Sequence, residues 1–236
     1  MIDFHSHVLP GLDDGSKDIA MSLKMLNMSY KQGVSLLLAT PHFYVEELDV
    51  PTALFGRSAS SRDLKNAVHR NHVDSPDLLL GFEVHVHPDL RKLRDVEKLC
   101  IEGTRVMLLE MPYSGWNDKI FSVLRWLEEE KGIIPLMAHI ERYIDRVPAP
   151  LFEKLMDLDY FYQVNAASFI NRKTALVLDE MLVQKQIHVL GSDAHNMLTR
   201  CSLMDTAYRH IETTLGRTYI DLLDSNGTEI LSYKTK

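Results

Sequence analysis

Seven apolar runs recur along this chain, and almost every one ends abruptly in a histidine or a carboxylate. The runs are Ile2–His7, Ser35–His42, Asp77–Val86, Arg105–Tyr113, Ile134–Ile140, Tyr160–Ala166 and Ile187–Asp193, spaced like strand-plus-helix units. Several are apolar at consecutive positions, as in Leu36-Leu37-Leu38 and Val106-Met107-Leu108-Leu109. Strands that bury both faces belong to parallel sheets, so the expected class is α/β.

Helices are expected between the runs. Ser16–Gln32 carries an amphipathic stripe, with Ser16 as N-cap and Gly33 just beyond its end. Asp118–Lys131, Pro150–Leu158, Lys173–Gln186 and Leu198–Leu215 follow. Val50–Ser75 is polar and irregular, with Gly56 inside it, and predicts only a helix near Ser60–His69 flanked by loops. An open doubly wound sheet would gather polar groups at one switch point. A barrel collects them from the ends of its strands. The wide spread of ligand-type residues here favours a distorted seven-stranded (β/α)7 TIM-like barrel with a metal site at the C-terminal ends of the strands. The 236 residues fit one domain, 1–236, with the last ~10 residues as a tail.

The net charge of −7 argues against nucleic acid as the main partner. No apolar run has the length of a membrane span, and the N-terminus does not read as a signal peptide. Two cysteines, Cys100 and Cys201, make a disulfide framework improbable. The expected location is the cytoplasm. A thiol-dependent phosphatase needs an arginine shortly after its cysteine, and the corresponding positions hold Val106 and Ala207.

Nine residues form the candidate metal set: His5, His7, Asp14, His42, Glu83, Glu110, His139, Asp193 and His195. His5 and His7 alternate on a strand, so both rings face one side. Pro41 turns the chain out of its strand just before His42. Glu83 and Glu110 sit in apolar runs, where a carboxylate is costly to desolvate without a counter-charge. Few lysines or arginines interrupt those runs, so a shared cation is the natural counter-charge. Asp13 competes with Asp14 for one ligand role. His85 shares the parity of Glu83 and is expected at the rim, whereas His87, before Pro88, reads as a bystander. Arg142 and Arg200 lie just beyond ligand-type residues, and arginine forks match phosphate geometry. The pattern points to metal-assisted hydrolysis of a phosphate ester.

The segments His5-Ser6-His7, Asp13-Asp14-Gly15, Thr40-Pro41-His42, Gly81-Phe82-Glu83, Leu108-Leu109-Glu110, Ala138-His139-Ile140-Glu141-Arg142 and Ser192-Asp193-Ala194-His195-Asn196 occur in this order. The set resembles the polymerase-and-histidinol-phosphatase superfamily. More closely, it resembles the bacterial capsule- and exopolysaccharide-type protein tyrosine phosphatases of that superfamily, with the opening Asp3 to Gly15 the most specific piece. The resemblance runs from residue 1 to about residue 215.

It implies a trinuclear site. One ion would take His5, His7, Glu83 and Asp193. A second would share Glu83 and take Glu110 and His139. A third would take Asp14 (or Asp13), His42 and His195. Arg142 and Arg200 would hold the phosphate as catalytic residues. The ions would be Mn, with Fe or Zn as alternatives, and the partner a bacterial tyrosine autokinase. A histidinol-phosphate type of phosphatase and a non-catalytic metal-binding module are the competing readings.

Overall fold

The computed structural model describes residues 1–234. Nine short strands are present among them: β1 (Ile2–Ser6), β2 (Leu36–Ala39), β3 (His42–Phe43), β4 (Asp77–Leu80), β5 (Glu83–His85), β6 (Val106–Glu110), β7 (Ile134–Met137), β8 (Phe161–Asn165) and β9 (Val189–Gly191). They form two sheets, ordered β1-β2-β4 and β3-β5-β6-β7-β8-β9. Every pairing between named strands is parallel. The segment after β9 returns to β1: Asp193 N donates to His5 O at 2.7 Å, and Ser6 bridges Ala194. The result is a curled parallel sheet.

Seven continuous strands were expected, and two of the runs prove to be interrupted. Ser35–His42 breaks at Thr40-Pro41, where proline has no N–H for the ladder. Asp77–Val86 breaks beside it at Gly81-Phe82. The pairing keeps the same sequence offset across the break, with Leu36 opposite Asp77 and His42 opposite Glu83.

Alternation sorts the strand residues into two apolar layers. Met107 and Leu109 pack outward with the helices in the large core. Val106 and Leu108 join Phe4, Leu38, Leu136 and Val189 in a second cluster on the other side of the sheet. The register of β1 shifts between Asp3 and Ser6. Phe4 joins the second cluster, while the neighbouring His5 and His7 serve the polar cluster described below.

Among the described residues seven α-helices surround the sheet: α1 (Ile19–Lys31), α2 (Val50–Asn71), α3 (Asp118–Glu129), α4 (Ala149–Met156), α5 (Arg172–Val183), α6 (Met204–Thr214) and α7 (Arg217–Ser232). Four expectations need correction. Asp18, not Ser16, caps α1, accepting from Met21 N at 2.8 Å; Ser16 is buried against Ser22. Val50–Ser75 is mostly one 22-residue helix, capped by Asp49 with Pro51 in the first turn. Its inner stripe is Val50, Ala53, Arg57, Ser61, Leu64 and Ala67, spaced as a helix face but poor in apolar bulk. The helix expected from Leu198 starts only at Met204. The supposed tail belongs largely to α7, whose Ile230 is buried in the second apolar cluster. Beyond α7, Arg105 N donates to Tyr233 O at 2.7 Å, so this segment covers the N-terminal end of the sheet. Gly227 packs closely there, since a Cβ would sit 3.0 Å from the Phe4 ring.

Candidate metal centre

The nine ligand-type residues, drawn from positions 5 to 195, converge at the C-terminal side of the sheet. His5 lies in β1 and His7 just beyond it. His42 opens β3, Glu83 opens β5 and Glu110 closes β6, while His139 and Asp193 sit two residues past β7 and β9. Glu83 is the hub. Its Oε2 lies 3.1 Å from His5 Nε2, 3.2 Å from His7 Nε2 and 2.9 Å from His42 Nδ1, and its Oε1 lies 2.7 Å from His139 Nε2. Asp193 Oδ1 faces His5 and His7 Nε2 at 3.6 and 3.5 Å. Glu110 Oε1 is 3.6 Å from His139 Nε2. Asp14 Oδ1 is 3.2 Å from His195 Nε2 and 3.4 Å from His42 Nε2.

Asp13 and Asp14 separate by geometry. Asp13 Oδ2 accepts from His7 Nδ1 at 2.7 Å and from His42 N at 3.0 Å, and its Oδ1 accepts from Gly15 N. It stands behind His7 and leaves Nε2 turned into the cluster. Asp14 is exposed and faces His42 and His195 directly. Gly15 is sterically required, since a Cβ there would lie 2.4 Å from the His7 backbone oxygen.

The donor set fits divalent ions. Glu83 Oε2, His42 Nδ1 and His195 Nε2 are buried without a hydrogen-bond partner, although each faces other ligand-type atoms. Four overlapping groups bring such atoms within 4.8 Å of one another: His7–Asp14–His42–His195, His5–His7–Asp193, His5–Glu83–His139 and His42–Glu83–Glu110. Convergence of buried imidazole and carboxylate donor atoms on one another is a pattern a cation resolves.

Electrostatics of the protein alone agree. Burial would raise the Glu83 carboxyl, but His5, His139 and His42 outweigh it and hold it well below the usual range. Asp193 is likewise held low against burial, by His5, His7 and Arg142. Burial would lower His5 and His7, yet Glu83 and Asp193 raise the first, and Asp13, Asp193 and Glu83 raise the second. His195 goes the other way, to about 4, through burial and the neighbouring His7.

Arg142 and Arg200 both reach the cluster. Arg142 Nη2 donates to Asp193 Oδ2, and Arg200 Nη2 donates to both Asp193 oxygens at 3.1 Å. His85 lies at the rim, its Nδ1 3.3 Å from Glu110 Oε2. His87 stands outside the cluster, accepting from Asp89 N at the start of a 3-10 turn. Sequence reasoning missed Tyr44, whose ring packs against His42 and His85, and Tyr113, whose hydroxyl accepts from Arg142 at 3.4 Å. It also missed Gln163 and Asn165 of β8, which lies in the one apolar run of the seven that carries none of the nine ligand-type residues. Their signal was two polar residues of equal parity in an apolar run. Leu12, Asp14, His42, Tyr44 and Leu48 line a cleft of about 290 Å³ beside the cluster. A larger cleft of about 500 Å³ lies at the other end of the sheet, beside Thr104 and Gly132, away from the ligand-type residues.

A curled parallel α/β sheet with this cluster at its strand ends defines a candidate metal centre of the kind used for hydrolysis. The chain matches the family described as Capsular polysaccharide synthesis, CpsB/CapC, over residues 1–232, and it belongs to that family. It is 29% identical to the tyrosine-protein phosphatase YwqE of Bacillus subtilis (strain 168), covering 100% of this chain and 93% of that protein. It is 26% identical to the tyrosine-protein phosphatase CpsB of Streptococcus agalactiae serotype III, covering 92% of each. Among solved structures it superposes with a TM-score of 0.84, at 25% identity, on one from the work on YwqE from Bacillus subtilis and CpsB from Streptococcus pneumoniae, described as unique metal-dependent tyrosine phosphatases. That match covers 100% of this chain and 96% of the other. The phosphotriesterase homology protein from Escherichia coli shares the fold alone, with a TM-score of 0.58 at 10% identity, covering 98% of each chain.

Proposed function

We propose that this chain is a metal-dependent phosphomonoesterase that acts on phosphotyrosine in proteins. Its substrate in this reading is a bacterial tyrosine autokinase controlling capsule or exopolysaccharide synthesis. The observation that carries the reading is the convergence on Glu83 of four imidazoles from three separate segments, His5 with His7, His42 and His139. The family match and the phosphatase names of the relatives support it.

Three divalent ions are the proposed complement, with Mn favoured and Fe or Zn as alternatives, because the mixed nitrogen and oxygen donors suit all of them. His5, His7, Glu83 and Asp193 would hold one. Glu83, Glu110 and His139 would hold the second, and Asp14, His42 and His195 the third. The scaffold in this reading is a distorted (β/α)7 barrel, with β2 and β3 as one interrupted strand and β4 and β5 as another. The unbroken pairing offset supports that count.

Bound ions would supply Lewis acidity and an acidified water at neutral pH. The protein's part is binding and charge control. Asp13 fixes the His7 ring through Nδ1. Arg142 and Arg200 would grip the phosphate oxygens with their forks and offset charge that grows in the transition state. Leu12, Tyr44 and Leu48 offer apolar surface for an aryl ring beside Asp14 and His42. A phenol leaving group, with a pKa of about 10, departs with less help from an acid than an alkyl alcohol does.

The test is hydrolysis of a phosphotyrosine peptide in manganese, against a phosphoserine peptide and histidinol phosphate, repeated after chelation and with His5→Ala. Tyrosine-selective turnover lost on chelation and in the variant is the expected result. Preference for histidinol phosphate would move the chain to small-molecule chemistry. No turnover with metal bound would make it a binding module.

A further inference from the structure

We infer that Gln163 and Asn165, from the apolar run that carries none of the nine ligand-type residues, are positioning residues that set the donor atoms of the metal cluster. The inference rests on the metal reading of the site and adds residues to it.

The orientation of both amides is forced. The backbone N–H of His139 lies 2.9 Å from Gln163 Oε1. An N–H can only donate, so the atom facing it must be the amide oxygen. That oxygen is also 3.2 Å from His5 Nδ1. Being an acceptor, it requires a proton on His5 Nδ1, so the neutral ring that would bind metal has its lone pair on Nε2, the atom that faces Glu83. The Gln163 amide nitrogen then donates to Asn165 Oδ1 at 2.9 Å, and Asn165 Nδ2 donates to Asp193 Oδ2 at 2.9 Å. Asp193 Oδ1 remains toward His5 and His7. One chain of bonds thus sets the tautomer of His5, the backbone at His139 and the rotation of the Asp193 carboxylate.

Two further observations point the same way. His139 and Asp193 both hold left-handed backbone, at φ 35° and φ 50°. Non-glycine residues keep that conformation only when their surroundings enforce it. The amide chain touches both, through the His139 N–H and the Asp193 side chain. Gly191, opposite Asn165 in the sheet, is the second. A Cβ there would lie 2.5 Å from His5 Cβ and 2.8 Å from Gln163 Nε2, so the approach of these two side chains excludes any larger residue. Gln163 is fully buried and Asn165 nearly so. The chain also has an anchor, since Asn165 N and Ser168 Oγ both donate to Glu141 Oε1, next to Arg142.

The test compares the wild type with Gln163→Met, Gln163→Glu and Asn165→Ser. Manganese and zinc affinities are measured by calorimetry. The His5 tautomer is read by nitrogen-detected imidazole NMR of the zinc-loaded protein. Loss of an outer partner of a metal-binding histidine typically weakens metal binding about 10- to 100-fold. Gln163→Met is expected to do so and to lose the Nδ1–H signature. Gln163→Glu keeps an acceptor for His5 and should stay closer to the wild type. If Gln163→Met does not fold, Asn165→Ser, which spares Gln163, should still weaken metal binding and lower kcat more than it raises KM. Wild-type affinity and tautomer in the Met variant, or a lower Tm alone, would overturn the inference. A wild type that binds metal but leaves phosphotyrosine intact would refute the proposed activity while these comparisons still decide the present point. A wild type that binds neither metal would overturn both.

Discussion

Raising the pH should destabilise the metal-free protein while strengthening its hold on metal. His5 and His7 are fully buried and carry raised pKa values, because Glu83, Asp193 and Asp13 outweigh the cost of burial. A histidine whose folded pKa exceeds its unfolded value of about 6.5 stabilises the fold fully below that value. The contribution is lost as pH rises through the folded pKa. Two such groups give a limiting loss of about 2.7 kcal/mol per pH unit in that window. His195, lowered to about 4, acts oppositely and favours the fold as pH climbs from about 4 toward 6.5. Asp13, lowered to about 2, contributes above the usual carboxylate range and loses its effect as pH falls through its folded value. The metal-free protein should therefore be more stable at pH 6.5 than at pH 8. Metal must displace the protons of His5 and His7, so its apparent affinity should rise up to about 100-fold per pH unit below their pKa values. Urea unfolding in chelator at the two pH values checks the first part. Calorimetry in two buffers of different ionisation enthalpy counts released protons and checks the second. Greater metal-free stability at pH 8, or no proton release at pH 7, would refute the electrostatic reading.

Glu83→Gln should cost the chelated protein about 3 kcal/mol at pH 6, where it strands imidazolium charge, and less at pH 8, where His5 and His7 shed protons; urea titrations measure both. Arg142→Lys should lower kcat/KM for a phosphotyrosine peptide about 100-fold, with metal content by elemental analysis unchanged. Deleting residues 217–236 removes α7 and exposes the second apolar cluster. The truncated protein should lose its cooperative thermal transition, and retention of a sharp transition would show that α7 is dispensable.

Much of the site could be read from the chain because ligand-type residues interrupt apolar runs, and burying such groups demands a reason. His5, His42, Glu83, Glu110, His139 and Asp193 stand out on that ground; their spread over many strands favours a seven-stranded barrel, and the curled parallel sheet is the part of that expectation the structure shows. Only the part of the Val50–Asn71 helix near Ser60–His69 was legible in the sequence, because its inward stripe is built from Ala53, Arg57, Ser61 and Ala67. Its periodicity is helical but its hydropathy is not. Arg57 fits only because its guanidinium lies over the Phe82 ring at 4.4 Å and donates to Gly81 O, partners remote in sequence. The C-terminal segment looked like a tail for the same reason, since the second apolar cluster that holds Ile230 is assembled from distant strands.

The sequence by itself determined the class of sheet, the histidines and carboxylates that interrupt it and the side of the sheet where they gather, because strand periodicity and the cost of burying charge are local properties. Only the tertiary structure separated the places of Asp13 and Asp14, set the His7 ring against Asp13, and brought Gln163 and Asn165 behind His5 and Asp193. Those choices depend on hydrogen-bond directions between segments up to 158 residues apart, and no local pattern encodes a direction in space.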